Sequence, residues 1–131
     1  MAEHELKKVI EDADRAISAE NFEALMDFYA EDATLVVKPG LNATGKAQIH
    51  KAFVAIAEHF RGKLKVRQGE MRVIEGGDTA LVIMETILET GVASDADAPI
   101  VRRATYVFRK DADGAWRCVI DNSYGVTVLD T

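Results

Sequence analysis

Three histidines are the first candidates for acid–base or metal chemistry in this chain of 131 residues. His4 lies near the N-terminus, where we expect it to be solvated. His50 and His59 fall on one predicted helix, nine positions apart, which separates them by about 13 Å along the helix axis. No histidine pair has the spacing of a metal site or a catalytic triad, so we predict no metal. We place His50 at a candidate pocket, with a surface position as the alternative.

The single cysteine, Cys118, alternates with apolar neighbours, which predicts a buried and inert thiol. One cysteine excludes an internal disulfide and a cysteine-based zinc site. Gly76-Gly77-Asp78 lacks the following helix that a phosphate-binding loop needs, so it predicts a hairpin turn. These residues reveal no catalytic group, and we predict no cofactor.

Strand-like segments near the C-terminus supply polar candidates for a ligand site. Alternation places Arg102 and Tyr106 on one strand face and Asn122 on the same face as Trp116. A few polar groups among apolar side chains are the usual composition of a ligand pocket. Each has a structural alternative: Asn122 could bond a strand end, Tyr106 could belong to the core, and Arg102 could pair with Glu85 or Glu89.

The expected pocket lies between the third predicted helix and the concave face of a curved sheet. Met84 is its most ambiguous member, because either face of its strand could point inward. Nine residues are candidates for lining this pocket: Val37, His50, Phe53, Ile56, Met84, Arg102, Tyr106, Trp116 and Asn122.

Composition and charge narrow the class of protein. Apolar residues make up 48% and charged residues 29%, which is typical of one globular domain spanning residues 1–131. No apolar run is long enough to cross a membrane, and the charged N-terminus does not resemble a signal peptide, so we expect a cytoplasmic protein. The net charge of −6 disfavours nucleic-acid binding. The basic residues Lys63, Lys65 and Arg67 alternate with apolar ones, which predicts a solvated strand face.

The elements that must position these residues separate into helices and strands. Apolar periodicity predicts a helix over about 6–17, a short helix from about Asn21, and a third helix after Thr44 as N-cap, with Gly62 just beyond its end. A short strand is predicted over 34–37. From residue 63 onward the period becomes two, and four strands are predicted, over 63–75, 79–90, 100–110 and 115–128.

Short turns between these four strands predict an antiparallel meander. Within the first of them the apolar residues change from even-numbered to odd-numbered positions. This change indicates a bulge near Gly69 that would bend the sheet. The fold class is therefore α+β, with three N-terminal helices packed on a curved antiparallel sheet.

Two segments resemble a known superfamily. Residues 21–34, NFEALMDFYAEDAT, precede Thr44-Gly45 and the third helix, and residues 113–122, DGAWRCVIDN, form the last hairpin. They resemble the nuclear transport factor 2-like superfamily, in particular its SnoaL-like and ketosteroid-isomerase-like branch, which includes members of unknown function. The resemblance implies a cone-shaped, cystatin-like fold with a pocket, and pairing of two subunits through the outer sheet face.

The resemblance also identifies residues that steroid isomerases of this superfamily would need. Their carboxylate base falls at or next to Val37, and their oxyanion-binding tyrosine falls near Ala13. Neither side chain can perform the corresponding role, so steroid isomerisation in its usual form is not predicted.

Two functions remain open at this point. The first is binding of a small, mainly apolar molecule by a homodimeric pocket protein that acts as a cofactor-independent isomerase, cyclase or hydratase. The second is a non-catalytic ligand-binding or association domain. A titratable group deep in the cone would favour catalysis. The homodimer is expected through a face with Thr105, Val107, Val119, Asp121 and Ser123.

Overall fold

A computed structural model describes residues 4–89 and 100–130. The turn expected around residues 94–97 lies outside the described residues. Three α-helices, six strands and two 3₁₀-helices are described in chain order: α1 (Glu5–Ser18), α2 (Phe22–Leu25), a 3₁₀-helix (Met26–Phe28), β1 (Tyr29–Lys38), β2 (Leu41–Thr44), α3 (Lys46–His59), β3 (Lys65–Gly76), β4 (Thr79–Glu89), β5 (Ile100–Lys110), β6 (Trp116–Asn122) and a 3₁₀-helix (Gly125–Asp130). No described helix is both long and apolar enough to span a membrane.

The helices begin and end where local side chains satisfy their free backbone groups. His4 is the N-cap of α1, where its Nδ1 accepts a hydrogen bond from the Leu6 amide at 3.1 Å. The expectation that His4 is merely solvated is therefore wrong. The predicted N-cap of α3 is also off by one residue, because Thr44 ends β2 and Gly45 takes the cap position. Gly62 follows α3 with a φ of 71°, as a C-terminal glycine should.

The sheet has six strands in the order β2-β1-β6-β5-β4-β3. The meander β3 to β6 is antiparallel as predicted, but β1 pairs with β6 in parallel, so the sheet is mixed. Strand β2 was not predicted, and it forms a hairpin with β1. The count of three N-terminal helices also omits the 3₁₀-helix that extends α2. The last predicted strand is too long, since β6 ends at Asn122 and a 3₁₀-helix follows.

The predicted bulge in β3 is present. The pairing of β3 with β4 shifts register between Gln68 and Met71, which spans Gly69. A bulge of this kind increases the local twist and bends the strand. The concave side of the resulting sheet faces α1 and α3, and the core lies between these layers.

The inner face of the sheet settles the ambiguity at Met84. Ala80, Val82, Met84 and Thr86 are all buried, so this set of β4 residues faces the core. Ala104, Tyr106 and Phe108 continue the same face on β5. From the helices, Leu6, Ile10, Ile49 and Phe53 pack against it.

Candidate functional site

A buried carboxylate on α1 is the starting point of the site. Asp14 is 9% exposed and belongs to the same buried helix face as Ile10 and Ala13. A charged side chain in an apolar stripe loses hydration, which requires a polar partner. The partner is Gln68 on β3, whose Nε2 donates to Asp14 Oδ2 at 2.7 Å.

Gln68 connects Asp14 to two hydroxyls on the inner sheet face. Thr86 Oγ1 donates to Gln68 Oε1 at 3.0 Å, and the Tyr106 hydroxyl lies 3.2 Å from Thr86 Oγ1. Because the Thr86 proton is used toward Gln68, Tyr106 must be the donor to Thr86. The chain therefore runs in one direction, from Tyr106 through Thr86 and Gln68 to Asp14, and its last donor points at the carboxylate.

A second buried carboxylate, Asp121 on β6, lies nearby. It is 8% exposed, and its Oδ2 accepts a hydrogen bond of 2.6 Å from the Tyr29 hydroxyl. It pairs with Tyr106 across the β5–β6 ladder, so both side chains share the inner face.

Simple alternation predicts the opposite orientation for Asp121, and the reason for the error is a second bulge. Val107 pairs with Ile120 while the next residue, Phe108, pairs with Cys118, so Val119 is an extra residue in β6. This insertion switches the face of every following position. Asp121 consequently points into the core and Ile120 points out, with 43% of its surface exposed. The assignment of Asp121 to an outer interface is wrong.

The two carboxyls have raised pKa values. Burial raises the pKa of Asp14 to about 7, helped by the negative charges of Asp121 and Glu11 and opposed by the Gln68 hydrogen bond. Burial also raises the pKa of Asp121 to about 6, against the hydrogen bond from Tyr29. Asp14 can therefore both lose and gain a proton near neutral pH, which is the property of a general acid–base group.

The tyrosines of the site stay protonated. Burial and the nearby charge of Asp121 place the pKa values of Tyr29 and Tyr106 well above the ordinary value of 10. Each hydroxyl therefore acts as a hydrogen-bond donor that holds its acceptor, and neither becomes a phenolate in the neutral range.

Asp14 and Gln68 border an open groove between α1 and the first half of β3. The groove has a volume of about 590 Å³. Four of its α1 residues, Glu11, Asp14, Arg15 and Ser18, follow helical spacing on one face. The full lining is Glu11, Asp14, Arg15, Ser18, Ala19, Lys65, Val66, Arg67 and Gln68. The hydrogen-bonded pair of Asp14 and Gln68 therefore lies at the boundary between this groove and the core.

The sequence-predicted pocket residues occupy several separate places. Phe53 and Ile56 border a cavity of about 10 Å³ between α3 and the end of α1, with Phe22 at its wall. This volume holds about one water molecule. Met84 and Tyr106 face the core from the sheet, and Val37 is partly buried against it.

The remaining predicted pocket residues lie toward the edges of the core. Trp116 donates from Nε1 to Glu5 Oε1 at 2.6 Å, at the start of α1. Asn122 accepts hydrogen bonds from the amides of Tyr124 and Gly125 and stabilises the turn after β6. Their contact with a ligand, like that of the other seven, stays a prediction.

Arg102 and His50 have partners of their own. The Arg102 guanidinium stacks over the Tyr124 ring at 4.2 Å and donates to Ser123 Oγ at 3.3 Å. His50 Nε2 lies 3.4 Å from a Glu23 carboxylate oxygen at the surface. Both side chains can therefore be fixed without a ligand.

The prediction for Cys118 is confirmed, because its thiol is completely buried and burial raises its pKa well above the ordinary value of 9. Among the described residues, no group of three or more His, Cys, Asp or Glu side chains is arranged to hold a metal ion.

Sequence reasoning missed Asp14, Gln68, Thr86 and Asp121. One signal was available for Asp14: it stands four positions after Ile10 and three before Ile17, inside the apolar stripe of α1. Thr86 stands two positions after Met84, so strand alternation places both on the same face of β4. Gln68 and Asp121 each adjoin a bulge, and a bulge at Val119 leaves no clear mark on the sequence.

Comparison with solved structures identifies the fold. A nuclear transport factor 2-like protein with a cystatin-like fold from Novosphingobium aromaticivorans superposes with a TM-score of 0.76 at 21% identity, over 89% of this chain and 77% of that one. Aln2 from a Streptomyces species gives 0.75 at 16% identity, over 97% and 93%. A candidate ketosteroid isomerase from Shewanella frigidimarina gives 0.70 at 15% identity, over 87% and 89%. Among curated proteins, none matches this sequence.

The family follows from the sequence match. The SnoaL-like domain profile matches residues 6–122, which include both segments that carry the resemblance and all six strands. The chain belongs to the SnoaL-like domain family.

Proposed function

We propose that the protein binds a small organic molecule in the groove between α1 and β3 and catalyses a proton transfer with Asp14. The observation that carries this proposal is the position of Asp14, a residue that is almost buried yet borders the groove, with its carboxyl held by Gln68 at 2.7 Å. A carboxylate on a rigid helix, oriented by a hydrogen bond, is well placed to act as a base toward a bound carbon acid.

The proposed reaction is an isomerisation or a related ring closure or hydration. Asp14 as carboxylate removes a proton from carbon next to a carbonyl group, and the electron pair moves to the carbonyl oxygen. The protonated Asp14 then returns the proton at another atom of the same molecule. This cycle needs one group that can hold and release a proton, and Asp14 has a pKa of about 7.

Asp121 and the hydrogen-bond chain support Asp14 without contacting the substrate. The charge of Asp121 contributes to the raised pKa of Asp14, whereas the Gln68 amide favours the ionised form. Thr86 holds Gln68 in the orientation that donates to Asp14, because its hydroxyl proton occupies the amide oxygen.

Proton exchange with solvent tests the proposal. Small carbonyl compounds with acidic C–H bonds, including keto esters, oxo acids and an oxo steroid, are incubated with the protein in D₂O and deuterium incorporation is measured by mass spectrometry. We expect catalysed exchange into at least one class and a loss of about 10²–10⁴-fold in the Asp14→Asn variant.

Asp27→Asn is the matched control, because Asp27 is an exposed carboxylate away from the groove lining. It should retain wild-type exchange. Wild-type exchange rates in Asp14→Asn, or no catalysed exchange in any of the compounds, would contradict the proposal.

The second candidate function is a non-catalytic association domain. The cavity of about 10 Å³ under α3 favours it, because that region is packed nearly solid and leaves little room for an apolar ligand. In this case the groove would bind no substrate, and the protein would act through a dimer or a partner bound to the outer sheet face. Absence of exchange activity together with a stable dimer would favour this function.

A further inference from the structure

The groove beside Asp14 carries more positive than negative side chains. Arg15, Lys65 and Arg67 border it, against Glu11 and Asp14. The whole chain, by contrast, has a net charge of −6. Two of these cations have carboxylate partners outside the lining, since Arg15 pairs with Asp12 and Arg67 pairs with Glu89. Among the described residues, Lys65 has no carboxylate partner, so it is the cation of the lining that can attract an anion to this place.

Lys65 has a fixed position at one end of the groove. Its Nζ donates to the Ser18 carbonyl at 2.9 Å, while the Ser18 hydroxyl accepts from the Val66 amide at 3.1 Å. These two bonds attach the C-terminal end of α1 to the start of β3. The ammonium group has three donors, and among the described residues the Ser18 carbonyl takes one of them, so two can bind a ligand.

Arg67 stands two residues further along the same strand. Its ion pair with Glu89 uses Nε, at 2.9 Å from Oε1. The terminal nitrogens of the guanidinium are the pair that grips a carboxylate or a phosphate in parallel hydrogen bonds. In the described part of the chain, those two nitrogens have no hydrogen-bond partner.

The spacing from these cations to Asp14 suits a small ligand. Ser18, which holds Lys65, follows Asp14 by four positions in α1, or about 6 Å along the helix axis. A molecule with an anionic group at Lys65 and Arg67 can therefore present a carbon a few bonds away to the Asp14 carboxyl.

We propose that the groove selects a small organic acid, whose anionic group binds Lys65 and Arg67 and whose carbon skeleton lies against Val66 and Ala19 next to Asp14. This proposal rests on the proposed function of the same groove, and it adds the substrate class. The apolar character expected for the ligand then applies to the skeleton alone, and the anionic end determines its orientation.

The proposal is tested with small aromatic probes, some of which carry a negative charge and one of which is neutral. Cinnamate, cinnamamide and phenyl phosphate are titrated into the full-length protein, and affinity is measured by calorimetry at low and high salt. We expect at least one anion to bind about tenfold more tightly than the neutral amide, since a charge-assisted contact is worth about that much. The preference should decrease with added salt. The ratio of the affinities for cinnamate and phenyl phosphate distinguishes a carboxylate site from a phosphate site.

Substitutions locate the binding group. Arg67→Gln and Lys65→Gln should each reduce the anion preference, whereas Lys63→Gln, an exposed lysine outside the groove lining, should leave it unchanged. Arg67 is exposed, so its variant should keep the fold. Equal affinity for the anions and cinnamamide, a preference that survives both substitutions, or no binding of any probe at millimolar concentration would overturn the proposal.

The failures of the two proposals are distinguishable. Wild-type deuterium exchange by Asp14→Asn contradicts the proton-transfer function, whatever the ligand's charge. Equal binding of charged and neutral probes, with exchange still dependent on Asp14, contradicts the organic-acid class and leaves the proton-transfer function standing.

Discussion

At the scale of single residues, the site depends on the direction of its hydrogen bonds. Gln68 uses its amide nitrogen on Asp14 and its amide oxygen on Thr86, so both ends of the side chain are committed. An ionised glutamate at this position could not donate to Asp14, and a leucine would leave Asp14 buried without a partner. The neutral amide thus holds a buried carboxyl without adding another charge.

The raised pKa of Asp14 also predicts how stability depends on pH. A carboxyl with a pKa of about 7 in the folded chain and an ordinary value of 3.8 binds its proton more tightly when folded. The free energy of unfolding therefore falls as pH rises from about 4 to about 7, and stays lowered above that range. Asp121, with a pKa of about 6, contributes in the same direction up to that pH.

The substitution Asp14→Asn removes the contribution of Asp14 to the pH dependence of the free energy of unfolding. We expect the variant to be more stable than the wild type at pH 8, by on the order of a few kcal/mol, and to approach the wild type near pH 4. Urea unfolding at several pH values measures this difference, with Asp27→Asn, a substitution at an exposed carboxylate, as the matched control. A difference that is constant across pH would mean that Asp14 has an ordinary pKa.

At the scale of elements, two bulges place the site. The bulge at Gly69 bends β3 directly after Gln68, and the bulge at Val119 turns Asp121 inward. Both interrupt the alternation that would otherwise assign each strand residue to one face. Gln68 and Asp121 therefore lie beside the places where their strands depart from regular geometry.

A larger residue at Gly69 would crowd the neighbouring side chain of Glu85. A Cβ at this position would lie 2.9 Å from Glu85 Oε1 and 3.1 Å from the Glu85 Cβ. Gly69→Ala should therefore lower the free energy of unfolding by about 1–3 kcal/mol, as overpacking does. Gly76→Ala, in the same strand with nothing within 4 Å of its Cβ, is the control. Thermal unfolding of both variants measures the difference, and equal midpoints would show that Glu85 moves away at no cost.

At the scale of the whole molecule, the outer sheet face carries a continuous apolar row. Ile74, Leu81, Val107 and Ile120 are neighbours across four strands, and Ile74 and Ile120 are 56% and 43% exposed. Beside them, Ile83 is 41% exposed. Such contiguous apolar surface is typical of an interface between subunits.

We therefore propose a homodimer through this face. Val107→Asp should convert the dimer to a monomer, because a charge in the centre of an apolar interface loses its hydration without a partner. Sedimentation velocity at micromolar concentration measures the change. Val54→Asp, at an exposed position on α3, is the control that should stay dimeric. A wild-type protein that sediments as a monomer would contradict the homodimer.

Much of the fold was predictable from the sequence because its signals are local. The period of α1 and α3, the change to a period of two after residue 63 and the turn residues depend on near neighbours alone, so they predicted the helices and the antiparallel meander. The parity change around Gly69 even predicted one bulge. These patterns fail for β2, because its four residues, Leu41–Thr44, are too few to show an alternation. They also fail for the parallel pairing of β1 with β6, because strand partners distant in the chain leave no local signal.

The site itself was decided by tertiary structure. The sequence alone indicated an acidic α+β protein and its family resemblance, and it has Val37 and Ala13 where the steroid isomerases have their base and their tyrosine. It did not indicate that Asp14 on α1 and Gln68 on β3, 54 positions apart, meet in one hydrogen bond. Their proximity arises from the docking of α1 on β3, and the orientation of Asp121 arises from a bulge at Val119. A pKa near neutrality also depends on burial, which only the packing of helices on the sheet creates.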